Sequence, residues 1–351
     1  MAAAFTLTRI GTSTVPTGTG YVANSETDPT RDEYITIFDT TVMSKMYEMF
    51  TVTSQMSMVE TIPNGTGKSF RIVGEFSTSY HTPGEMLAGQ SIDRTHRYIS
   101  VDPIRYAAIY IDDLDAMMSS TNEITLYATK LGHAMGKALE HDIISEIMKG
   151  SRAPAYLLDT YGGTEIKSDD FALAAEVTGG SVGSPDLATW AQAIADALAI
   201  LAGELDMKNV PKVGRKVLFS PSDYRSLLAY TNLINKDING RGSIANGVID
   251  AIQGFEIQMS TELFRDDTTS TNPYHGVDAT KIRALAFTEE AVATVQLRTM
   301  TIESDRLVNY QADFMSVAYA MGHGYYRPEC CAALSVDTIS WNSATSKYVL
   351  D

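Results

Sequence analysis

The run from Asn122 to Gly150, NEITLYATKLGHAMGKALEHDIISEIMKG, constrains this chain more than any other stretch. Ile124, Tyr127, Leu131, Met135, Leu139, Ile143 and Ile147 recur at a spacing that lines one face of an α-helix. Asn122 is placed to cap the start, Glu123 to sit in the first turn, and Lys149 with Gly150 to close the run, and no proline interrupts it. At about 1.5 Å per residue the rod would be about 40 Å long, well beyond the mean helix of about a dozen residues. A rod of that length can brace a flat domain. Within it, Glu140, His141 and Asp142 read as a solvated charged patch.

A chain of 351 residues can bury a sizeable core and divide into two subdomains. The formal net charge of −16 argues against a surface built to neutralise phosphates; it suits solubility and repels nucleic acid held nearby. Cys330 and Cys331 are the only cysteines and are adjacent, so the sequence carries no disulfide framework. Two small buried thiols in a reducing compartment are the expectation. The start MAAAFTLTRIGTS lacks the apolar core of a signal peptide, and no run approaches a membrane span, which predicts a soluble, intracellular protein.

Residues 1 to about 33 are rich in Thr, Ser, Gly and Asn and read as an extended arm, and Tyr34 to Phe50 recovers helical spacing. Lys68 to Tyr80 and Tyr98 to Ile111 read as the strands of a long hairpin with a bend at Pro83-Gly84 and Gly89. The segment between them has too few large apolar residues to form a core, so it is expected to project and to need support from outside the subunit. Ser151 to Gly183 reads as irregular. Ser184-Pro185 then starts a helix through Trp190, Ile194, Leu198, Leu201 and Leu205. Lys216 to Phe219 reads as a buried strand, Tyr224 to Tyr230 as a helix, and Phe255 to Met259 as a strand, which together describe a compact α/β lobe. Asp266 to Ala279 reads as a polar loop, Leu285 to Phe287 and Thr294 to Ile302 as strands, and Tyr310 to Met321 as a helix.

Chemistry-bearing motifs fail one by one. Gly18, Gly20 and Ala23 fit a loose dinucleotide pattern but lack a preceding strand and a following helix. Gly67-Lys68-Ser69 resembles the end of a phosphate-binding loop, yet Ile62 stands where that loop needs its first glycine, and a strand follows where a helix should. Lys68 is therefore read as part of a turn entering the hairpin. The histidines at 81, 96, 133, 141, 275 and 323 form no zinc spacing with each other or with the cysteines, and His133 and His141 are two turns apart. The sequence thus predicts no catalytic, cofactor-binding or metal residues, no cofactor and no enzymatic activity.

The stretch Tyr319-Ala320-Met321-Gly322-His323-Gly324-Tyr325-Tyr326-Arg327-Pro328-Glu329 resembles the C-terminal signature of major capsid proteins from short-tailed, T-seven type bacteriophages. The likeness keeps its order through Gly67-Lys68-Ser69, Pro83-Gly84-Glu85, the long helix, Pro221-Ser222-Asp223-Tyr224, Gly254-Phe255-Glu256, Leu297-Arg298 and Asn309-Tyr310-Gln311-Ala312-Asp313. Residues 1–33, 159–183 and those after Val336 depart from it. The resemblance implies an α+β fold of the Hong Kong 97 type. Its implied parts are an N-terminal arm (1–60), an extended loop (61–105), a peripheral domain (106–183 and 288–322) with a spine helix over 122–150, and an axial domain (184–287 and 323–351). In related shells the spine helix bends in the precursor and relaxes on expansion. The implied function is a major capsid subunit that self-assembles into pentamers and hexamers of an icosahedral head enclosing double-stranded DNA. The implied partners are a scaffolding protein and a portal protein, with no membrane, and assembly takes place in the host bacterial cytoplasm before residence in the virion. No residue match carries a Lys–Asn crosslink. Two other readings are a nucleotide-dependent enzyme, which fails on Ile62, and a cellular nanocompartment shell, which shares the fold.

Overall fold

The computed structural model describes residues 41–42, 56–74, 76–87, 89–112, 123–157, 160–167, 187–227, 251–336, 339–342 and 347–350. The arm at 1–33, the Asn122 cap and the Ser184-Pro185 helix start lie outside them, as does the helix over 34–50 apart from helical Thr41 and Val42. In chain order the elements are β1 (Ser57–Thr61), β2 (Gly67–Val73), β3 (Arg94–Ser100), β4 (Arg105–Asp112), α1 (Glu123–Ser151), β5 (Thr164–Ile166) and α2 (Leu187–Met207). There follow β6 (Lys216–Phe219), α3 (Pro221–Leu227), β7 (Ala251–Ile252), β8 (Phe255–Met259), β9 (Ile282–Phe287), β10 (Val292–Leu307), β11 (Ala312–Tyr325), β12 (Cys331–Ser335), β13 (Ile339–Asn342) and β14 (Lys347–Leu350).

Two sheets carry the fold. One has the order β1-β10-β11-β4, the other β5-β12-β9-β6-β8-β7. The main core packs α1 and α2 with both sheets, and Phe219, Phe255, Phe287, Leu139, Ile143, Ile147 and Leu198 are fully buried within it. A small second core of Ile62, Phe70, Ile99, Ala293 and Val295 sits where the hairpin β2-β3 meets β10.

The long helix forms as its spacing predicts, but its surroundings differ. From Leu139 to Met148 only His141 escapes full burial, so Glu140 and Asp142 are interior groups and not a solvated patch. Over that stretch the helix runs between layers, which removes the solvent side that an amphipathic stripe implies and that Lys130, Ala134 and Lys137 keep in its first half. Its end is tight: a Cβ on Gly150 would lie 2.6 Å from the Cys331 sulfur and 3.0 Å from Tyr325 Cβ.

Tyr310 to Met321 is not helical. It belongs to β11, whose buried residues Met315, Val317, Tyr319 and Met321 recur every second position. Ala and Met favour helices locally, but β11 is hydrogen-bonded on both sides, to β10 and to β4, and that pairing outweighs propensity. The stretch from Tyr98 to Ile111 likewise is two strands and not one. β3 pairs with β2, while β4 joins the four-stranded sheet, and Pro103, which has no N–H to give a ladder, stands in the link between them. β2 ends at Val73, short of the expected Tyr80. Thr164–Ile166, within a segment read as irregular, is an edge strand paired with β12.

The hairpin's root is pressed against β11. A Cβ on Gly322 would lie 1.9 Å from the Ser100 carbonyl oxygen, a backbone atom that cannot swing aside. Gly322→Ala is expected to destabilise the subunit by about 1–3 kcal/mol, the range for overpacking, and to move the urea midpoint down. An unchanged midpoint would mean that the root separates from β11 at little cost.

Candidate assembly surface and the charged junction at its root

Beyond Val73 the hairpin leaves the subunit. Phe76, Tyr80, Met86 and Leu87 are 72, 106, 95 and 75% exposed, an apolar content that a lone subunit leaves in water. The tip holds a turn with Glu85 N–H bonded to the Thr82 carbonyl, and Gly84 at φ +96°, where a side chain would be strained. Across the strands, Gln90 both accepts from Ser77 N–H at 3.2 Å and donates to its carbonyl at 2.6 Å. The root is firmer. Tyr326 packs its ring against Phe70 at 5.3 Å between centroids and donates to the Arg71 carbonyl at 3.3 Å, and the Arg97 guanidinium lies over the Tyr325 ring at 4.3 Å.

Lys68 sits in this root, salt-bridged to Glu60 and 5.8 Å from the centre of the Phe70 ring. Gly65, at φ +117°, makes the turn before it. That turn leads straight into a strand, so no phosphate cradle forms.

Behind the root lies a junction of charges from four separate parts of the chain. His275, 3% exposed, comes from the loop between β8 and β9. Its Nε2 is 2.7 Å from Asp102 Oδ2, in the β3–β4 link, and its Nδ1 is 2.9 Å from Glu146 Oε1 on α1. Lys149 bonds the same Glu146 oxygen at 2.7 Å and donates to the Tyr274 carbonyl at 3.3 Å. One turn earlier, Asp142 pairs with Arg105 of β4 at 2.7 Å, and Arg105 donates to the Ala138 carbonyl at 3.0 Å. Glu140 accepts from the Ser260 hydroxyl at 2.5 Å. On β11, Thr294 donates to Ser57 and so receives the His323 Nδ1–H at 3.0 Å. A cavity of about 280 Å³ opens beside these groups, bordered by Asp102, Ile104, Tyr106, Tyr274 and Tyr319.

Burial alone would lower the pKa of His275, but its bonds to Asp102 and Glu146 outweigh that and raise it to about 9, so it is an imidazolium at neutral pH. Burial would raise Glu146, and the bonds from His275 and Lys149 instead hold it below the usual carboxylate range. Burial would raise Asp142 too, and His141 and Arg105 beside it reverse the sign. Glu140, with burial dominant, is pushed up. His323, fully enclosed, is pushed down to about 4 and stays neutral.

The sequence does not bring these partners together, because residues 102, 146 and 275 are remote along the chain. The available signal was two carboxylates, Asp142 and Glu146, one turn apart on a helix otherwise apolar on that side. Of the other residues considered, His141 stacks on Phe264 at 4.1 Å, Cys330 and Cys331 are buried free thiols raised by burial, and His81 and His96 are exposed on the hairpin. Among the described residues no group of three or more His, Cys, Asp or Glu could hold a metal, and no helix is long and apolar enough to cross a membrane.

A projecting apolar hairpin on a braced two-sheet body is a geometry for joining copies. The family model described as Gp10A-like major capsid protein matches residues 69–335, most of the chain. The chain belongs to the Gp10A-like major capsid protein family. It is 27% identical over 309 residues to the major capsid protein of Escherichia phage T7, covering 81% of this chain and 86% of that one. The major capsid protein of Enterobacteria phage T3 is 27% identical over 315 residues, covering 82% and 87%. The capsid structure of cyanophage P-SCSP1u superposes with a TM-score of 0.71 at 27% identity, covering 82% of this chain and 88% of that one. The fold is thus that of phage capsid proteins, and the protein is a structural subunit that self-assembles into icosahedral phage heads, not an enzyme.

The junction gives the subunit a pH profile. His275 has a raised folded pKa, so its contribution is complete below its ordinary value of 6.5 and is lost as pH rises through about 9. Glu146 and Asp142 have lowered values, so theirs is present above 4.5 and 3.8 and is lost as pH falls below them. His323 resists protonation down to about 4, so its burial costs stability as pH falls from 6.5. Denaturant midpoints should therefore peak near pH 6.5 and fall on the alkaline side, with a loss on the order of 3 kcal/mol by pH 9.5 from His275. A flat midpoint from pH 7 to 10 would rule out the charged state of His275.

Proposed function

We propose that the subunit builds pentamers and hexamers around an axial unit made of the six-stranded sheet with α2 and α3, with the four-stranded sheet and α1 as the peripheral unit and spine. The boundary inside 106–183 then falls before Thr164, since β5 pairs with β12 of the six-stranded sheet. The hairpin is the extended loop. The observation that carries this reading is the exposed apolar tip, Phe76, Tyr80, Met86 and Leu87, beyond two strands that among the described residues are paired only with each other. Permanent interfaces bury about 2,000 Å² or more, and an arm laid over a neighbour supplies area without enlarging either core. Reusing one such patch on every copy suits a closed symmetric shell. The shell encloses double-stranded DNA without sequence-specific contacts, consistent with a net charge of −16. A scaffolding protein and a portal protein act with it during assembly in the host bacterial cytoplasm.

Replacing Thr82 to Arg94 with a short Gly-Ser turn should leave helicity and cooperative melting nearly intact and abolish particles in sedimentation and microscopy. Closed particles from this variant would remove the hairpin from the interface; loss of folding would place it in the core.

Gly132 and Gly136 are buried in α1, where each costs a helix about 1 kcal/mol relative to alanine. Glycines so spaced allow a helix to bend. Gly132→Ala with Gly136→Ala is expected to favour the straight form and disturb precursor assembly or expansion. Normal precursors with unchanged expansion kinetics would assign the glycines to packing alone.

A further inference from the structure

We propose that His275 is a charge clamp that fixes the direction of the projecting hairpin against the long helix, so that the hairpin's aim is governed by a loop from the six-stranded sheet. This rests on the reading of the hairpin as the inter-subunit arm.

The root of the hairpin is held on two sides by different means. On one side the backbone does the work: Asp102 N–H donates to the Met321 carbonyl at 3.2 Å, Val101 N–H to the Thr66 carbonyl at 2.8 Å, and Gly322 lets Ser100 approach. On the other side the only bond the Asp102 carboxylate makes among the described residues is to His275. Asp102, Pro103 and Ile104 border the cavity, so the link has open space beside it where a close-packed root would have none. The small core of Ile62, Phe70 and Ile99 and the contacts of Tyr326 and Arg97 hold the strands themselves, while the link, with open space beside it, is tied on this side by the His275 bridge.

The bridge spans three bodies at once. The imidazole joins Asp102 of the link to Glu146 of α1, and its own loop is fastened to α1 and the segment after it by Lys149 to the Tyr274 carbonyl and by Arg152 to the Asp278 carbonyl at 2.6 Å. The groups facing His275 are Asp102 from the link, Asp142 and Glu146 from α1, with Lys149 behind Glu146, and neutral His323 from β11, whose ring centre is 5.7 Å away. Its bonds to Asp102 and Glu146, with Asp142 also near, outweigh burial, which is why the clamp holds a proton far into the alkaline range. Loss of that proton removes one donor. A neutral ring cannot donate to both Asp102 and Glu146, so one leg opens, and the Asp102 leg, with its side chain 21% exposed, can rehydrate at lower cost than buried Glu146.

The test is hydrogen exchange on the full-length subunit carrying His275→Gln, which keeps a polar side chain and removes the charge. Amides of β2, β3 and the link should exchange at least about tenfold faster than in the unsubstituted protein, while those of β6 and β9 stay within about twofold. Equal acceleration in both regions, or none in the hairpin, overturns the clamp. If His275→Gln does not fold, Asp102→Ala removes the acceptor of the single leg in question and should give the same local pattern. The unsubstituted protein supplies a third reading: after correction for base catalysis, exchange in the link should rise with a midpoint near pH 9. A level profile rejects the proposal. Particle formation is scored separately. If the Thr82–Arg94 replacement still gives shells while His275→Gln loosens the root, the clamp stands and the interface reading falls.

Discussion

Glu140, Asp142 and Glu146 are carried into the interior within two turns of α1, and an uncompensated buried charge costs several kcal/mol. Each is met by a group from another element, Ser260 for Glu140, Arg105 for Asp142 and His275 for Glu146, which also pairs with Lys149 on α1 itself. These demands fix where β4, the end of β8 and the loop before β9 can stand relative to the helix. Apolar packing of Ile143, Ile144 and Ile147 supplies the larger driving force, but it is non-directional. The carboxylates choose among the ways of packing that would bury the same area.

That arrangement separates a rigid body from a projecting arm. The body is paired strand by strand, with β10 and β11 in register over nearly their whole length apart from irregularities between Gln296 and Thr301. The arm has two strands and an apolar tip in water. Between them lie aromatic contacts, Phe70 with Tyr326 and Arg97 with Tyr325, and the charged junction. On the proposed reading, the body holds its shape while the arm meets neighbouring subunits.

The junction also bears on the acidic balance of the chain. A formal net charge of −16 crowds carboxylates within each subunit. Placing several of them inside, each with its own cation or hydroxyl, removes them from the surface field without leaving them unpaired.

Periodicity, turn chemistry and motif order were enough to read α1, α2, the pairing of β2 with β3, the strands β6, β8, β9 and β10, the turn at Gly65 and the family. Those features are local, or lie in order along the chain. The same local rules misread 310–321 as a helix, because alternation of Met315, Val317, Tyr319 and Met321 becomes visible only once β10 and β4 lie on either side. They ran β3 into β4, because Pro103 breaks a ladder only where a ladder exists, and they set Glu140 and Asp142 in solvent, because a helix sequence does not say how many sides of it are covered. The meeting of Asp102, Glu146 and His275 was beyond reach of the sequence for the same reason. Charge pairing across more than a hundred residues of chain is decided by which layers pack together, and only the tertiary structure makes that choice.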